Sequence, residues 1–275
     1  MTSALEDAIG AAFGAGFVLG PLMGGILGEY GTRAPFWAAA VLAAGNVIFG
    51  WLVLRETVNT RSAAPLSWRR ANPLGALRAL GDLPGVSRLL LVYFHYHLAF
   101  AVYPSVWSYF GKAQFGWSPA MIGGSLALFG AAMAVVQGGL IRPVLHRFAE
   151  RGTVLIGFVC SITTFGLIAT VTWGSAILIL TPLAALAGVI PPALQALMSA
   201  RVTPERQGAL QGLLTSASAL AMVVAPLVMT SVFAAFTSAS TPVYFAGAPF
   251  VLSMILSVVA LVLFRRVRIN PAHVD

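Results

Sequence analysis

Charge is scarce in this chain of 275 residues: Asp, Glu, Lys and Arg make up 9% of it against 59% apolar residues, and mean hydropathy is +0.89. A water-facing globule carries about 25% charged residues, so a soluble domain is excluded and the chain is built for lipid. Acid is scarcer than base, with 8 Asp and Glu against 16 Lys and Arg. The start, MTSALEDAIG, places Glu6 and Asp7 where a secretory signal has basic residues. A single cysteine, Cys160, excludes an internal disulfide and a cysteine-rich metal cluster. HExxH, GxSxG and paired carboxylates are missing, so no catalytic residue, metal or cofactor is expected, and the chain is not read as an enzyme.

Long apolar runs are what the sequence has in quantity. They cover residues 8–27, 35–54, 89–110, 120–141, 153–173, 177–198, 209–236 and 243–264, and none contains Asp, Glu, Lys or Arg. About 20 apolar residues cross a bilayer as a helix. Backbone amides in hydrocarbon must be bonded within a helix or a closed barrel, and these runs lack the alternation of barrel strands. The spacing predicts an all-α integral membrane fold with eight transmembrane helices. Loops on one face hold Arg55, Arg61, Arg69, Arg70, Arg78, Arg88, Arg142, Arg147, Arg151, Arg201, Arg206, Arg265, Arg266 and Arg268, whereas the other holds Arg33 and Lys112. The positive-inside rule makes the first face cytoplasmic, with both termini. The net charge of +8 is therefore topological; lipid is the expected partner, and nucleic acid, which needs a clustered basic groove, is not.

Residues 55–88 contain Pro65, Pro73, Pro84 and the amphipathic stretch PLGALRALGDL, and read as a linker on the membrane surface. An internal repeat organises the rest. Gly20-Pro21 in FVLGPLMGGIL corresponds to Ala225-Pro226 in MVVAPLVMTSV, and each is followed by a proline, Pro35 or Pro242, that opens the next helix. The first two helices thus match the last two. Residues 89–275 are predicted to form a complete six-helix bundle, and residues 1–54 the last two helices of a first bundle. On this arithmetic Met1 falls where four preceding helices would end, and a separate four-helix segment is an expected partner. Repeated bundles about a midplane site are the architecture of secondary transporters.

Gly16, Gly20, Pro21, Gly24 and Gly25 form G-x-x-x-G-P-x-x-G-G in the first helix, with Pro226 in the corresponding place of the seventh. Glycines four apart let a neighbouring backbone approach, and proline bends a helix by removing a hydrogen bond. With PPALQALMSARVTPERQGALQG at 191–212, ANPLGALRAL and FGWSPAMIGGSLALFG, this pattern resembles the major facilitator superfamily, in particular drug/proton antiporters of the tetracycline-exporter type. The likeness covers nearly the whole chain as the last eight of twelve helices. It implies proton-driven export of a planar, amphipathic drug across the bacterial inner membrane. The pattern departs at two coupling positions: Ser161 stands where such exporters carry an acid, and Met133 where they carry a histidine, although Gln137 agrees one turn later. Their first-helix acid would lie before Met1.

His95 and His97, in LVYFHYHLAF, are the histidines within the spans. Ionisable groups in a membrane are expensive and read as functional, and His97 lies about 13 Å beyond Arg88 at ~1.5 Å per residue, near the midplane. Two positions on a helix are about 200° apart, so the pair cannot share a cavity or bind one metal, and His97 is the candidate for a substrate or proton path. Gln137, Gln195, Ser161 and Trp107 join it; Asn46, Thr164, Phe94, Tyr103 and Phe129 are further polar or aromatic groups whose commoner role is packing. Pro191-Pro192 should break the sixth helix beside Gln195. Arg142, Arg147 and Arg151 occupy the place of the family's second gating loop. A second reading, a membrane interaction protein that does not transport and pairs with a separate first half, is told apart by co-purification of that partner. Alternating access needs two bundles, so the chain by itself is expected to export little.

Overall fold

The computed structural model describes residues 2–53, 85–239 and 241–267. Among the described residues ten α-helices follow in order: α1 (Thr2–Glu29), α2 (Ala34–Val53), α3 (Ser87–Phe100), α4 (Val102–Phe115), α5 (Pro119–Val135), α6 (Ile141–Thr170), α7 (Gly174–Leu186), α8 (Ile190–Ser199), α9 (Gln207–Thr237) and α10 (Ala248–Arg265). A π-helical turn, Val136–Leu140, joins α5 to α6, and a 3-10 turn, Ala187–Val189, joins α7 to α8. No strand occurs among the described residues.

Among the described residues six stretches are long and apolar enough to cross a membrane, and the 52 residues of Pro119–Thr170 are one of them. At ~1.5 Å per residue that stretch is about twice a bilayer core. It turns at Ala149, whose φ of 51° and ψ of 178° leave helical space. Counted as two crossings and joined by α1, it brings the total to the eight expected. The linker expected at 55–88 lies almost wholly outside the described residues.

Three boundaries differ from those the sequence suggests. The third span is two helices, because Pro104 offers no N–H to the Phe100 carbonyl; the chain passes through Ala101, whose carbonyl accepts a bond from the Ser105 hydroxyl at 2.6 Å. The expected loop at 142–151 is helical apart from Ala149, so the reversal is concentrated in one residue. The last helix opens at Ala248 with Pro249 in its first turn, not at 243 after Pro242. The segment before it is held instead by the Phe245 N–H donating to Phe236 O at 2.9 Å.

Ala149 is the one described non-glycine residue with positive φ. Such backbone is nearly reserved to glycine and costs about 1–3 kcal/mol. Ala149→Gly is therefore expected to stabilise the protein by roughly 1 kcal/mol, read as a higher midpoint of thermal unfolding in detergent.

The core runs along the second group of helices. Toward the arginine-rich end, Leu89, Tyr93, Phe158, Ile190, Leu194, Met198, Leu213 and Phe264 are packed together, and toward the other end Val106, Phe110, Phe165, Ile177, Met229 and Phe250. α3 lies against α9 and α10, α6 against α8 and α10, and α1 against α5. α2 buries no residue; its Phe36, Trp37, Val47, Phe49 and Trp51 are exposed, as suits a lipid-facing helix with tryptophans near its ends.

Candidate functional site

Three helix interruptions set the geometry. One is the α3/α4 junction, just beyond His97. The π turn on the α5/α6 side and the 3-10 turn between α7 and α8 meet directly: the Met133 side chain lies over Gly188, and a Cβ placed there would overlap its sulfur and stand 3.8 Å from Gln137 Nε2. A larger residue there would have to push the Met133 side chain aside. Gln137 itself is exposed, projecting from the π turn. The 3-10 turn ends where Ile190, Pro191 and Pro192 start α8, so the break expected at the proline pair is present immediately before it. Irregular backbone at membrane depth is tolerated where it is buried in protein or lines a cavity, and π turns concentrate at functional sites.

His97 is half-buried between two tyrosines, with ring centroids 4.3 Å from Tyr93 and 5.3 Å from Tyr96. Its Nε2 is buried and has no hydrogen-bond partner. Gln195, on α8, stands beside the Tyr93 hydroxyl. His95 is engaged within its own helix, its Nδ1 2.8 Å from the Leu91 carbonyl. The two histidines therefore divide as their spacing requires, and His97 is the unsatisfied one. From its neighbour Tyr96 an aromatic run continues through Phe100 at 5.7 Å, Phe129, Tyr103 and Trp107, the last two 5.6 Å apart.

Trp107 has its polar edge occupied: Nε1 donates to Ser125 Oγ at 2.9 Å, and Ser125 donates to Ile122 O at 2.7 Å. A void of about 10 Å³ lies among Tyr103, Trp107, Ser125, Phe129, Ile177 and Thr181. That is room for about one water, not for a drug. A wider depression of about 380 Å³, lined by Leu167, Thr170, Trp173, Ile179 and Leu180, sits at the α6–α7 hairpin, away from the histidine.

Ser161 lies elsewhere, at the packed face of α6 and α10. Its hydroxyl is 3.4 Å from that of Ser257, which donates to Ser253 O at 2.9 Å. One turn on, the hydroxyls of Thr164 and Ser253 are buried without partners. An unsatisfied buried hydroxyl costs about 1–3 kcal/mol. Thr164→Val, which keeps the shape and removes the orphan, is expected to leave stability unchanged or raise it by up to ~1 kcal/mol, whereas Ser161→Ala should lower it; thermal unfolding of each variant checks both.

Of the glycine-proline pattern in α1, one face makes contact. A Cβ on Gly25 would stand 2.8 Å from Gly123 Cα, and one on Gly123 would stand 2.5 Å from the Pro21 carbonyl oxygen and 2.6 Å from Gly25 Cα. Gly16, Gly20 and Gly24 meet nothing within 4 Å. Pro226 lies inside α9, its carbonyl taking the Thr230 hydroxyl at 2.6 Å. Arg142, Arg147 and Arg151 are exposed around the Ala149 turn. The residues that sequence reading missed, Pro104, Gly123 and Gly188, carry their signal only as Pro or Gly inside apolar runs.

The profile of the Major Facilitator Superfamily matches residues 8–181 and 89–274. The two matches overlap, so residues 89–181 fit it twice, as a repeated architecture would. Tetracycline resistance protein class G of Vibrio anguillarum is 35% identical over 260 residues, covering 94% of this chain and 64% of that protein. The class C protein of Escherichia coli is 35% identical over 217 residues, 79% of this chain and 54% of its own length. The chain thus spans between about half and two thirds of these relatives. The crystal structure of the human organic anion transporter MFSD10 (TETRAN) superposes with a TM-score of 0.68 at 28% identity, over 93% of this chain and 62% of that one. Apolar crossings and these matches agree: the chain is a multi-pass membrane protein belonging to the major facilitator superfamily, and over most of its length it is similar to tetracycline resistance proteins.

Proposed function

We propose that this chain takes part in proton-coupled export of tetracycline-like amphipathic drugs across the bacterial inner membrane, with cargo resting between the His97 cluster and the facing breaks at Gln137 and Gly188. The observation that carries this reading is the buried, unpartnered Nε2 of His97. A polar atom in that state gains a hydrogen bond when a cargo hydroxyl or enol arrives. The run from Tyr96 to Trp107 supplies rings on which a planar cargo stacks, and Gln137 and Gln195 supply amides that donate and accept.

The same histidine is the proton carrier in this reading. Ser161 has no titratable proton to offer, and it is hydrogen-bonded within the α6/α10 seam. In this reading His97 takes a proton when the site opens to water and passes it on when the site closes. Arg142, Arg147 and Arg151 form the cytoplasmic gate, with both termini on their side. Residues 89–275 act as one bundle and residues 1–54 as part of the other, so residues 1–275 alone transport little and need a four-helix segment as partner.

The test is drug uptake by inverted membrane vesicles holding the chain alone, or the chain fused behind the first four helices of the class G relative. Tetracycline accumulation by the fused chain, abolished by a protonophore and small for the chain alone, is the expected result. No gradient-dependent accumulation by a folded fusion would overturn the reading.

A further inference from the structure

The Glu29 carboxylate is in an unusual place. It ends α1, where the helix dipole disfavours a negative charge, yet it lies over the start of α5. Its Oε1 accepts the Ala120 N–H at 2.9 Å, from a residue 91 positions away.

The accounting at that helix start is complete. Pro119 has no N–H, Ala120 donates to Glu29, Met121 donates to Ser118 Oγ at 3.3 Å, and Ile122 makes the first helical bond, to Ser118 O at 3.0 Å. A neighbouring helix therefore supplies one of the caps that a helix start requires. Directly beneath, a Cβ on Gly28 would stand 3.1 Å from Pro119 Cβ, and Gly25 meets Gly123 backbone to backbone. Glu29 thus closes the exposed end of a contact whose interior has no side chains to hold it.

We propose that Glu29 is a latch on the arginine-poor face, holding α1 of the first bundle against α5 of the second while the protein is closed on that side. This rests on the two-bundle reading above. Opening on that face must separate Glu29 from Ala120, and it exposes the uncapped α5 start to water. The Ala120 amide first and Ser118 second hold the Glu29 carboxyl below its ordinary value. A group with a depressed pKa stabilises the bound form above its ordinary pKa and ceases to do so as pH falls through the depressed value. Acid on that face therefore releases the latch. The other titratable or charged groups near are Tyr30 and Arg33 in the α1–α2 connection and Lys112 on α4; α2 and α5 contain none, and Glu6 and Asp7 stand at the opposite end of α1.

The experiment places spin labels at Tyr30→Cys and Met121→Cys, both exposed and each one residue from an end of the bond, in the full chain with Cys160→Ala, reconstituted in lipid nanodiscs. At about pH 7 one short distance is expected. Glu29→Ala should add a longer component holding at least about half of the spins, and acidification to about pH 3.5, below the usual carboxylate range, should do the same to the parent. Glu29→Gln, whose amide oxygen still accepts, should stay short and lose the response to acid. A distance distribution unchanged in Glu29→Ala overturns the latch. Gly123→Ala, measured beside it, separates the causes: if it adds the longer component while Glu29→Ala does not, the latch alone fails, and if neither does, the two-bundle reading fails with it.

Discussion

Gly123→Val is expected to destabilise the protein by about 3 kcal/mol or more, above the ~1–3 kcal/mol usual for an overpacked core. The reason is what its side chain would meet. Both obstacles, the Pro21 carbonyl oxygen at 2.5 Å and Gly25 Cα at 2.6 Å, are backbone, and backbone cannot rotate aside. α1 must move away from α5, taking with it the Glu29–Ala120 bond and the contact of Gly28 with Pro119. The next residue supplies the control. A Cβ on Gly124 meets nothing within 4 Å, so Gly124→Val should change stability by no more than about 0.5 kcal/mol, as for surface positions generally. Thermal unfolding in detergent compares the two; equal effects would place the helix contact on another face. Gly24 and Gly25 should differ in the same way.

His97→Phe is expected to weaken tetracycline binding at least about tenfold, a loss of ~1.4 kcal/mol, while the chain still folds. Phenylalanine fills the space between Tyr93 and Tyr96 and makes the same ring contacts. What it lacks is the Nε2 that the folded protein leaves unpartnered. His97→Gln, which keeps a hydrogen-bonding group but has no titratable proton, should retain binding and lose its pH dependence. His95→Phe should change binding little, because the His95 ring is bonded to the Leu91 carbonyl of its own helix. Quenching of drug fluorescence by the purified chain, at several pH values, measures all four proteins.

Much of the fold is legible in the amino-acid sequence because hydrocarbon leaves so few solutions. A run of about 20 apolar residues without charge can only be a helix, and each of the eight runs is helical over most of its length. The helix interruptions are harder to read. Pro104 sits in an apolar run like other membrane prolines, and nothing beside it in the sequence marks Ala101 as the point where one helix ends and the next begins. The π turn at Val136–Leu140 has Gly138 and Gly139 as its trace, a pair that helix packing would explain as well. Pro191-Pro192 is the exception, since two prolines together leave a helix no alternative but to restart.

The site divides along the same line. Spacing alone tells that His95 and His97 face opposite ways, and the structure shows which one is left unbonded. Ser161 looks like a path residue in the sequence because a midspan hydroxyl has no local mark of its partner. That partner, Ser257, is 96 residues away. Gly16, Gly20 and Gly24 belong to the same pattern as Gly25, and nothing in their spacing shows that α5 would meet Gly25 and not them. Nothing around Glu29 in the sequence marks it, for its role depends on the α5 start being beside it.

The most direct measurement is nitrogen NMR of the His97 imidazole in the full chain, reconstituted in lipid with histidine labelled at both ring nitrogens and assigned by His97→Phe. Saturating tetracycline should shift the Nε2 resonance of His97 as a hydrogen bond forms to a nitrogen that has none, and leave His95 where it was. An Nε2 resonance that does not move while the drug is bound would show that cargo makes no contact with His97, contradicting the account of the site.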